Sequence, residues 1–138
     1  MKFAALLQKV STLDPATGDP WHILHMATLD GARILGLDTL TGSLEPGKRA
    51  DIVTVDLRKL HTTPILHGSN FNVAAHLVFS ATGRDVDSVW VDGRRVVEGG
   101  RLLSMDAEAI RVRAQAAAED LFHRMAALGQ LPTSATVP

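Results

Sequence analysis

The chain has 138 residues, 46% of them hydrophobic, and its 14 Lys and Arg nearly balance 15 Asp and Glu. This composition suits one domain with a core, and it offers neither a basic block for nucleic acid nor the single-sign run of a disordered tail. Because cysteine is absent, disulfides and thiolate metal sites are excluded. The first residues lack the apolar core of a signal peptide, and no apolar run is long enough to span a bilayer, so we expect a cytoplasmic protein.

The first twelve residues predict an amphipathic helix. Phe3, Leu6, Leu7 and Val10 recur at helical spacing. No capping residue precedes them, whereas a native start more often shows one. We therefore expect Met1 to be an internal methionine of a longer protein.

Residues 19–36 carry the signals of two further helices. Asp19 is expected to cap a helix that has a proline at its first position and runs to about Ala27. Thr28 is expected to cap a second, short helix that runs through Leu35 and is stopped by Gly36.

Residues 42–56 read Gly-Ser-Leu-Glu-Pro-Gly-Lys-Arg-Ala-Asp-Ile-Val-Thr-Val-Asp and predict a turn followed by a strand. Pro46 fixes φ at the first central position of a type II turn, and Gly47 supplies the positive φ of the second. The β-branched run at 52–55 predicts a short strand.

The segment after this strand is expected to be a loop at 58–70 and then a short helix at 71–80, favoured over a buried strand. Val73, Leu77 and Ser80 would share one face of that helix. Glycine at position 83 is expected to break the chain there.

A hairpin and a long helix are predicted next. Strands at 86–91 and 94–98 flank Asp92-Gly93, a type I′ turn, and two glycines end the second strand. Asp106 is expected to cap the helix, which Gly129 stops before a frayed tail at 131–138. The helix would carry an apolar stripe of Ile110, Ala114, Ala117, Leu121, Met125 and Leu128.

Several of these segments, in this order, resemble the C-terminal end of metal-dependent amidohydrolases. The branch is that of triazine hydrolases and the deaminases of guanine, cytosine and S-adenosylhomocysteine. The segments are Met-Lys-Phe-Ala-Ala-Leu-Leu-Gln-Lys at 1–9, Met-Ala-Thr-Leu-Asp-Gly-Ala-Arg-Ile-Leu-Gly-Leu at 26–37, Gly-Ser-Leu-Glu-Pro-Gly-Lys-Arg-Ala-Asp-Ile-Val at 42–53 and Val-Trp-Val-Asp-Gly-Arg-Arg-Val-Val at 89–97.

The resemblance implies an α+β fragment. Residues 1–40 would be the last helices of a TIM-type barrel, 41–105 part of a small β-sandwich built from both chain ends, and 106–138 a C-terminal helix and tail. A complete barrel needs roughly 250 residues, so this chain cannot contain one.

The resemblance also implies a chemistry, hydrolysis of a C–N or sometimes C–Cl bond by water activated on Zn or Fe. The family's ligands include a His-x-His pair and lie upstream of every matched segment, and this sequence contains no His-x-His. We therefore assign no catalytic or metal residue, leave substrate-binding residues unknown, and expect this chain alone to be inactive. The expected partner is the missing N-terminal barrel portion, in cis or in trans, and a homo-oligomer is possible.

The histidines and tryptophans are weighed residue by residue. His22 and His25 are three apart on a predicted helix and could face one way, but without a third ligand an ordinary helix surface is favoured. Trp21 and Trp90 are expected to anchor a core or an interface. The other histidines are expected to be solvated or hydrogen-bonded in place: His61, His67, His76 and His123.

Two alternatives to the hydrolase fragment remain. The chain could be a free-standing binding or structural module without catalysis. It could instead be one half of a split hydrolase, on which a separate barrel polypeptide docks. In that case the apolar face of the helix at 1–12 would look exposed in this chain alone.

Overall fold

The structure, a computed structural model, describes residues 1–129. The described residues divide into two compact units, the first of which is Met1–Leu103 and the second of which begins at Ser104. The tail expected at 131–138 lies outside the described residues.

The first unit begins with three α-helices. They are α1 (Lys2–Thr12), α2 (Pro20–His25) and α3 (Gly31–Ile34). Asp19 caps α2 as predicted, because its Oδ2 accepts the backbone N–H of His22 at 2.9 Å. Gly36 follows α3 with φ +68°, so the predicted stop is also confirmed.

The expected cap at Thr28 is wrong. The turn between α2 and α3 is a π-helix, Met26–Asp30, so the chain stays helical without a break from 20 to 34. The Thr28 hydroxyl donates to the carbonyl of Leu24 at 2.8 Å instead of capping a new helix. A threonine can bond back to its own helix in this way, and the local sequence does not distinguish that role from a cap.

The segment 71–80 is helical, as favoured, with α4 (Val73–Ala75) running into a π-helix, His76–Ser80. The face that it buries differs from the predicted one, since Ala74 and Val78 are the buried residues. The preceding loop contains two short 3₁₀ turns, Leu60–Thr62 and Gly68–Asn70.

Four antiparallel strands form one sheet in the order β1-β2-β3-β4. They are β1 (Ile52–Val55), β2 (Val86–Val91), β3 (Arg94–Glu98) and β4 (Arg101–Leu102). The turn before β1 is confirmed, since Gly47 has φ +93° and the Lys48 N–H donates to the Glu45 carbonyl at 3.2 Å.

The hairpin turn between β2 and β3 is confirmed by positive φ at both central residues, 51° at Asp92 and 76° at Gly93. Gly99 and Gly100 do not simply end β3. Both have positive φ and turn the chain into β4, whose Arg101 pairs with Glu98.

The core of the first unit lies among its helices. Ala5 of α1, Ile23 of α2 and Val78 form the buried cluster, with Phe79 packed against it. The helix predicted at 1–12 is present, but it buries Ala5 while Phe3 and Leu7 stay exposed. Trp21 is not in the core, because it is half exposed and stacks on Phe71 with ring centroids 6.2 Å apart.

In the second unit, α5 (Ala107–Ala127) is the helix predicted from residue 106. Asp106 caps it, with Oδ1 accepting the N–H groups of Glu108 and Ala109 at 3.0 Å each. Gly129 follows with φ +64°. None of the residues of α5 is buried. Within residues 1–129, no helix has the length and apolarity that a bilayer crossing requires.

Candidate functional site

The first unit has an open groove of about 890 Å³. The helical stretch 20–34 and the loop that follows it form one wall, and β1 forms the other. Most of the lining is aliphatic, including Leu24, Leu35, Leu44, Val53 and Val55.

The polar groups in this groove are few and are engaged structurally. Asp51 is the ionisable side chain among the lining residues, and its Oδ1 accepts the backbone N–H of Asp92 at 2.7 Å. That bond ties the start of β1 to the β2–β3 turn. The groove therefore presents an apolar surface for packing, with no pair of groups arranged for acid–base chemistry.

Within residues 1–129, β1 pairs with β2 on one side, and its other side is a free sheet edge that contributes Val53 and Val55 to this groove. Ala50 accepts from Gly93 and the Asp56 N–H donates to Asp85, so the even-numbered residues bond toward β2. In an antiparallel ladder the alternate residues bond the other way, so the N–H and C=O groups of Val53 and Val55 face the free edge. The Val53 side chain is 57% exposed. An unpaired apolar edge of this kind is a template for another strand.

A second apolar surface lies on α1. Phe3, Leu7 and Val10, each more than half exposed, come from the side of the helix away from buried Ala5. Singly exposed apolar residues are ordinary, but a contiguous stripe marks a surface that packs against something.

His22 and His25, the two histidines of α2, have different surroundings. His22 is exposed, and His25 pairs with Asp30 (Nδ1 to Oδ2, 2.8 Å) and not with His22. This bond lowers the pKa of Asp30, with help from Arg33. His67 and His123 are exposed.

Two histidines are hydrogen-bonded within the fold, as expected. The Nε2 of His76 lies 3.0 Å from the carbonyl oxygen of Pro64 and 3.1 Å from the Asn72 amide. The Nε2 of His61 lies 2.9 Å from Oδ2 of Asp85.

Sequence reasoning missed Asp85, the most deeply buried carboxylate among the described residues, at 2% exposure. Hydrogen bonds from His61, the Thr82 backbone and Lys59 hold its pKa far below the ordinary range of an aspartate. A local signal was present, because Thr82 and Asp85 have the Thr-x-x-Asp spacing of a capping box. No local sequence pattern indicates the long-range partners of Asp85, which are Lys59 and His61.

The residues present do not fit a catalytic metal. Among residues 1–129, no group of three or more His, Cys, Asp or Glu side chains is placed to hold a metal ion. We therefore derive no metal-dependent step from this chain. That no residue here is catalytic or a metal ligand stays a prediction.

The sequence and the fold together identify the protein family. The amidohydrolase family model matches residues 1–96, which is most of the chain. This chain belongs to the amidohydrolase family, and the resemblance predicted from sequence is confirmed. Its mixed helices and strands are those of a fragment of an amidohydrolase.

Several curated relatives of the chain are named as deaminases. The chain is 45% identical over 124 residues to a 5′-deoxyadenosine deaminase of Methanosarcina acetivorans, covering 90% of this chain and 27% of that protein. It is 45% identical over 121 residues to a 5-methylthioadenosine/S-adenosylhomocysteine deaminase of Desulforudis audaxviator, covering 88% and 27%. The chain thus spans about a quarter of the length of the curated relatives it matches.

Two of the similar solved structures contain zinc. An adenosine deaminase from Xanthomonas campestris with bound zinc gives a TM-score of 0.80 at 34% identity, over 88% of this chain and 27% of that one. The atrazine chlorohydrolase TrzN from Arthrobacter aurescens TC1, complexed with zinc, gives 0.67 at 28% identity, over 83% and 24%.

Proposed function

We propose that this chain is the C-terminal part of an amidohydrolase that deaminates a ring amine of the adenosine type by hydrolysing a C–N bond. The observation that carries the proposal is the 45% identity to a 5′-deoxyadenosine deaminase over 90% of this chain. A dehalogenating or deaminating triazine hydrolase is the related possibility within the same class, and the likeness to the chlorohydrolase is lower in identity.

The catalytic centre would lie on the part of the protein that these residues do not include. Water activation on a metal needs several clustered ligands with an open position. Each histidine that the structure describes is either hydrogen-bonded to a structural partner or isolated. His25 bonds to Asp30, and His61 bonds to Asp85. Zinc or iron would therefore be held by the barrel portion.

The role of this chain would be to complete that barrel and the domain beside it. Residues 1–40 would supply its last helices, 41–105 part of a composite β-sandwich, and 106–138 the closing helix. The exposed side chains of α1 and the groove beside β1 are apolar surfaces that such a partner would cover. Burying apolar surface stabilises association by about 25 cal/mol per Å² before the entropic cost of docking is subtracted.

Complementation tests this proposal. The test mixes the purified chain, with zinc, with the Methanosarcina acetivorans deaminase truncated to remove its matching segment. Neither part alone should deaminate 5′-deoxyadenosine, and the mixture should. Val53→Lys, which places a charge on the free edge, should weaken the restored activity. Leu60→Lys, at a position that is 95% exposed and outside the groove, is the matched control.

The results of this experiment distinguish a split hydrolase, a part of one continuous polypeptide and a non-catalytic binding module. Activity on mixing supports assembly in trans, and activity only in a genetic fusion supports one continuous polypeptide. Turnover by the purified chain alone would overturn the assignment of the active site to the other part. If both mixture and fusion are inactive while the chain unfolds cooperatively, a non-catalytic binding module is the better description.

A further inference from the structure

Asp85 is a buried carboxylate at the turn that leads into β2, and it accepts four hydrogen bonds. Its Oδ1 accepts from Lys59 Nζ at 3.0 Å. Its Oδ2 lies 2.9 Å from His61 Nε2 and accepts from the Thr82 N–H at 2.7 Å and the Thr82 hydroxyl at 3.1 Å. A carboxylate at 2% exposure is costly unless it is fully paired, and this one is paired on both oxygens.

The donors come from two segments that are far apart in sequence. Lys59 and His61 belong to the loop that follows β1, and Thr82 belongs to the turn before β2. Lys59 reinforces the link, because its Nζ also donates to the carbonyl of Arg84 at 3.1 Å. Asp85 therefore joins the loop to the turn.

Hydrogen bonds within the loop also hold its conformation, and they do not involve Asp85. The Thr62 side chain is fully buried, and its hydroxyl donates to the Leu57 carbonyl at 2.6 Å. The Lys59 N–H in turn donates to Thr62 Oγ1 at 3.3 Å. The loop is thus a preformed unit. Its side-chain ties to the turn before β2 are the bonds of Lys59 and His61 to Asp85 and the single bond of Lys59 to the Arg84 carbonyl.

The turn that Asp85 holds is also the end wall of the groove. Thr82 and Gly83 line the groove at that end, next to Ala81 and Val86. Two of the four bonds to Asp85 come from Thr82 itself. A change at Asp85 would therefore reach the groove through Thr82, although Asp85 does not line the groove.

We propose that Asp85 is a positioning residue that latches the loop 57–63 to the turn 82–85 and so presets the end of the groove for docking. The docking part of this inference rests on the proposed function, whereas the latch itself is a property of this chain alone. The partner is the apolar, extended edge segment that would pair with β1 and enter the groove.

Hydrogen–deuterium exchange on the whole chain tests the latch. In Asp85→Asn, the single amide oxygen can serve only one side. At the Oδ2 position it still accepts from Thr82 and His61 but turns an NH₂ donor toward Lys59, and at the Oδ1 position it accepts from Lys59 but turns that donor toward Thr82 and His61. We expect exchange at 57–63 and 82–85 to rise by about tenfold or more, with β2 and β3 unchanged, because local opening is independent of global unfolding. Asp56→Asn is the matched control, since Asp56 pairs with exposed Arg58 at 2.9 Å.

A second variant keeps the proposal testable if Asp85→Asn does not fold. His61→Leu removes one donor from the loop side and leaves both Thr82 bonds in place. Exchange should then rise at 57–63 and stay low at 82–85. Unchanged exchange at 57–63 in both variants, or an equal rise throughout β2 and β3, would overturn the latch.

The affinity for the partner is measured separately, by titrating the truncated Methanosarcina acetivorans deaminase with each variant. Asp85→Asn should weaken the affinity by about tenfold and Asp56→Asn should not. If exchange rises while affinity is unchanged, the link from latch to groove is wrong. If the unmodified chain does not dock at all, the proposed function fails, and the exchange experiment still decides the latch.

Discussion

Gly42 lies so close to Ala32 that a Cβ on residue 42 would stand 2.7 Å from the Ala32 Cβ. Gly42 also has φ +94°, a conformation that L side chains rarely adopt. The close approach joins the helical wall of the groove to the turn before β1. Gly42→Ala should therefore lower the free energy of unfolding by about 1–3 kcal/mol, through backbone strain and overpacking together.

Gly47→Ala is the control for this substitution in urea denaturation. Gly47 has nearly the same φ, +93°, but no atom within 4 Å of the added Cβ. It should show the backbone cost of about 1–2 kcal/mol without the clash. Equal losses in the two variants would mean that the contact with Ala32 relaxes without cost.

Ile23 should be the most sensitive aliphatic position of the helical stretch 20–34. It is 2% exposed and lies in the core with Ala5 and Val78. Removing one methyl group in Ile23→Val should cost about 0.5–1.5 kcal/mol in thermal or urea unfolding. Ile34→Val makes the same change at 86% exposure and should stay within about 0.5 kcal/mol.

Loss of the cap at Asp19 should destabilise the first unit. Asp19→Ala leaves the His22 N–H without its carboxylate acceptor and should cost about 1 kcal/mol. Asp19→Asn retains an oxygen acceptor and should differ from the unmodified chain by only a few tenths of a kcal/mol. The midpoint of urea unfolding distinguishes them, and equal losses would show that charge, not the cap bond, is what matters.

Acid should remove the contribution of Asp85 to stability. Its pKa is lowered in the folded chain, so the unfolded state takes up the proton first as the pH falls. The contribution is present above about pH 4, the ordinary pKa of an unfolded aspartate, and declines progressively below it. The difference in Tm between the unmodified chain and Asp85→Asn should therefore narrow as the pH falls below about 4. A difference that does not narrow would contradict this.

The free edge of β1 should drive self-association of the isolated chain. Val53 presents an exposed apolar side chain beside unpaired backbone groups, and a charge there is a common defence against edge pairing. Val53→Lys should reduce the fraction of dimer and larger species in analytical ultracentrifugation. Val91→Lys is the control, because Val91 is similarly exposed but sits on β2, which is paired on both sides.

Local chemistry made several elements readable from the sequence. Gly47 and the Asp92-Gly93 pair have the positive φ values that their turn types require, and the Asp19 carboxylate accepts a backbone N–H at the expected helix start. These features depend on residues within four positions of one another. A single stretch of sequence is enough to predict them.

Features that depend on distant residues were missed or misread. Thr28 bonds to its own helix because the helix continues, and whether a helix continues is decided by what packs along it. The buried face of 71–80 centres on Ala74 and Val78 because Ala5 and Ile23 lie against that side. The short strand β4 forms because β3 already offers it an edge.

The sequence alone determined the family, the order of most helices and strands, and the turns before β1 and after β2, because these rest on local backbone preferences and on segments matched in order. The tertiary structure alone decided which surfaces are left uncovered and where Asp85 finds its partners. Lys59 and His61 are more than twenty residues from Asp85 in the chain and within 3.0 Å of it in space. Contacts of that kind follow from how β1 and β2 pair, and no periodicity or local propensity records them.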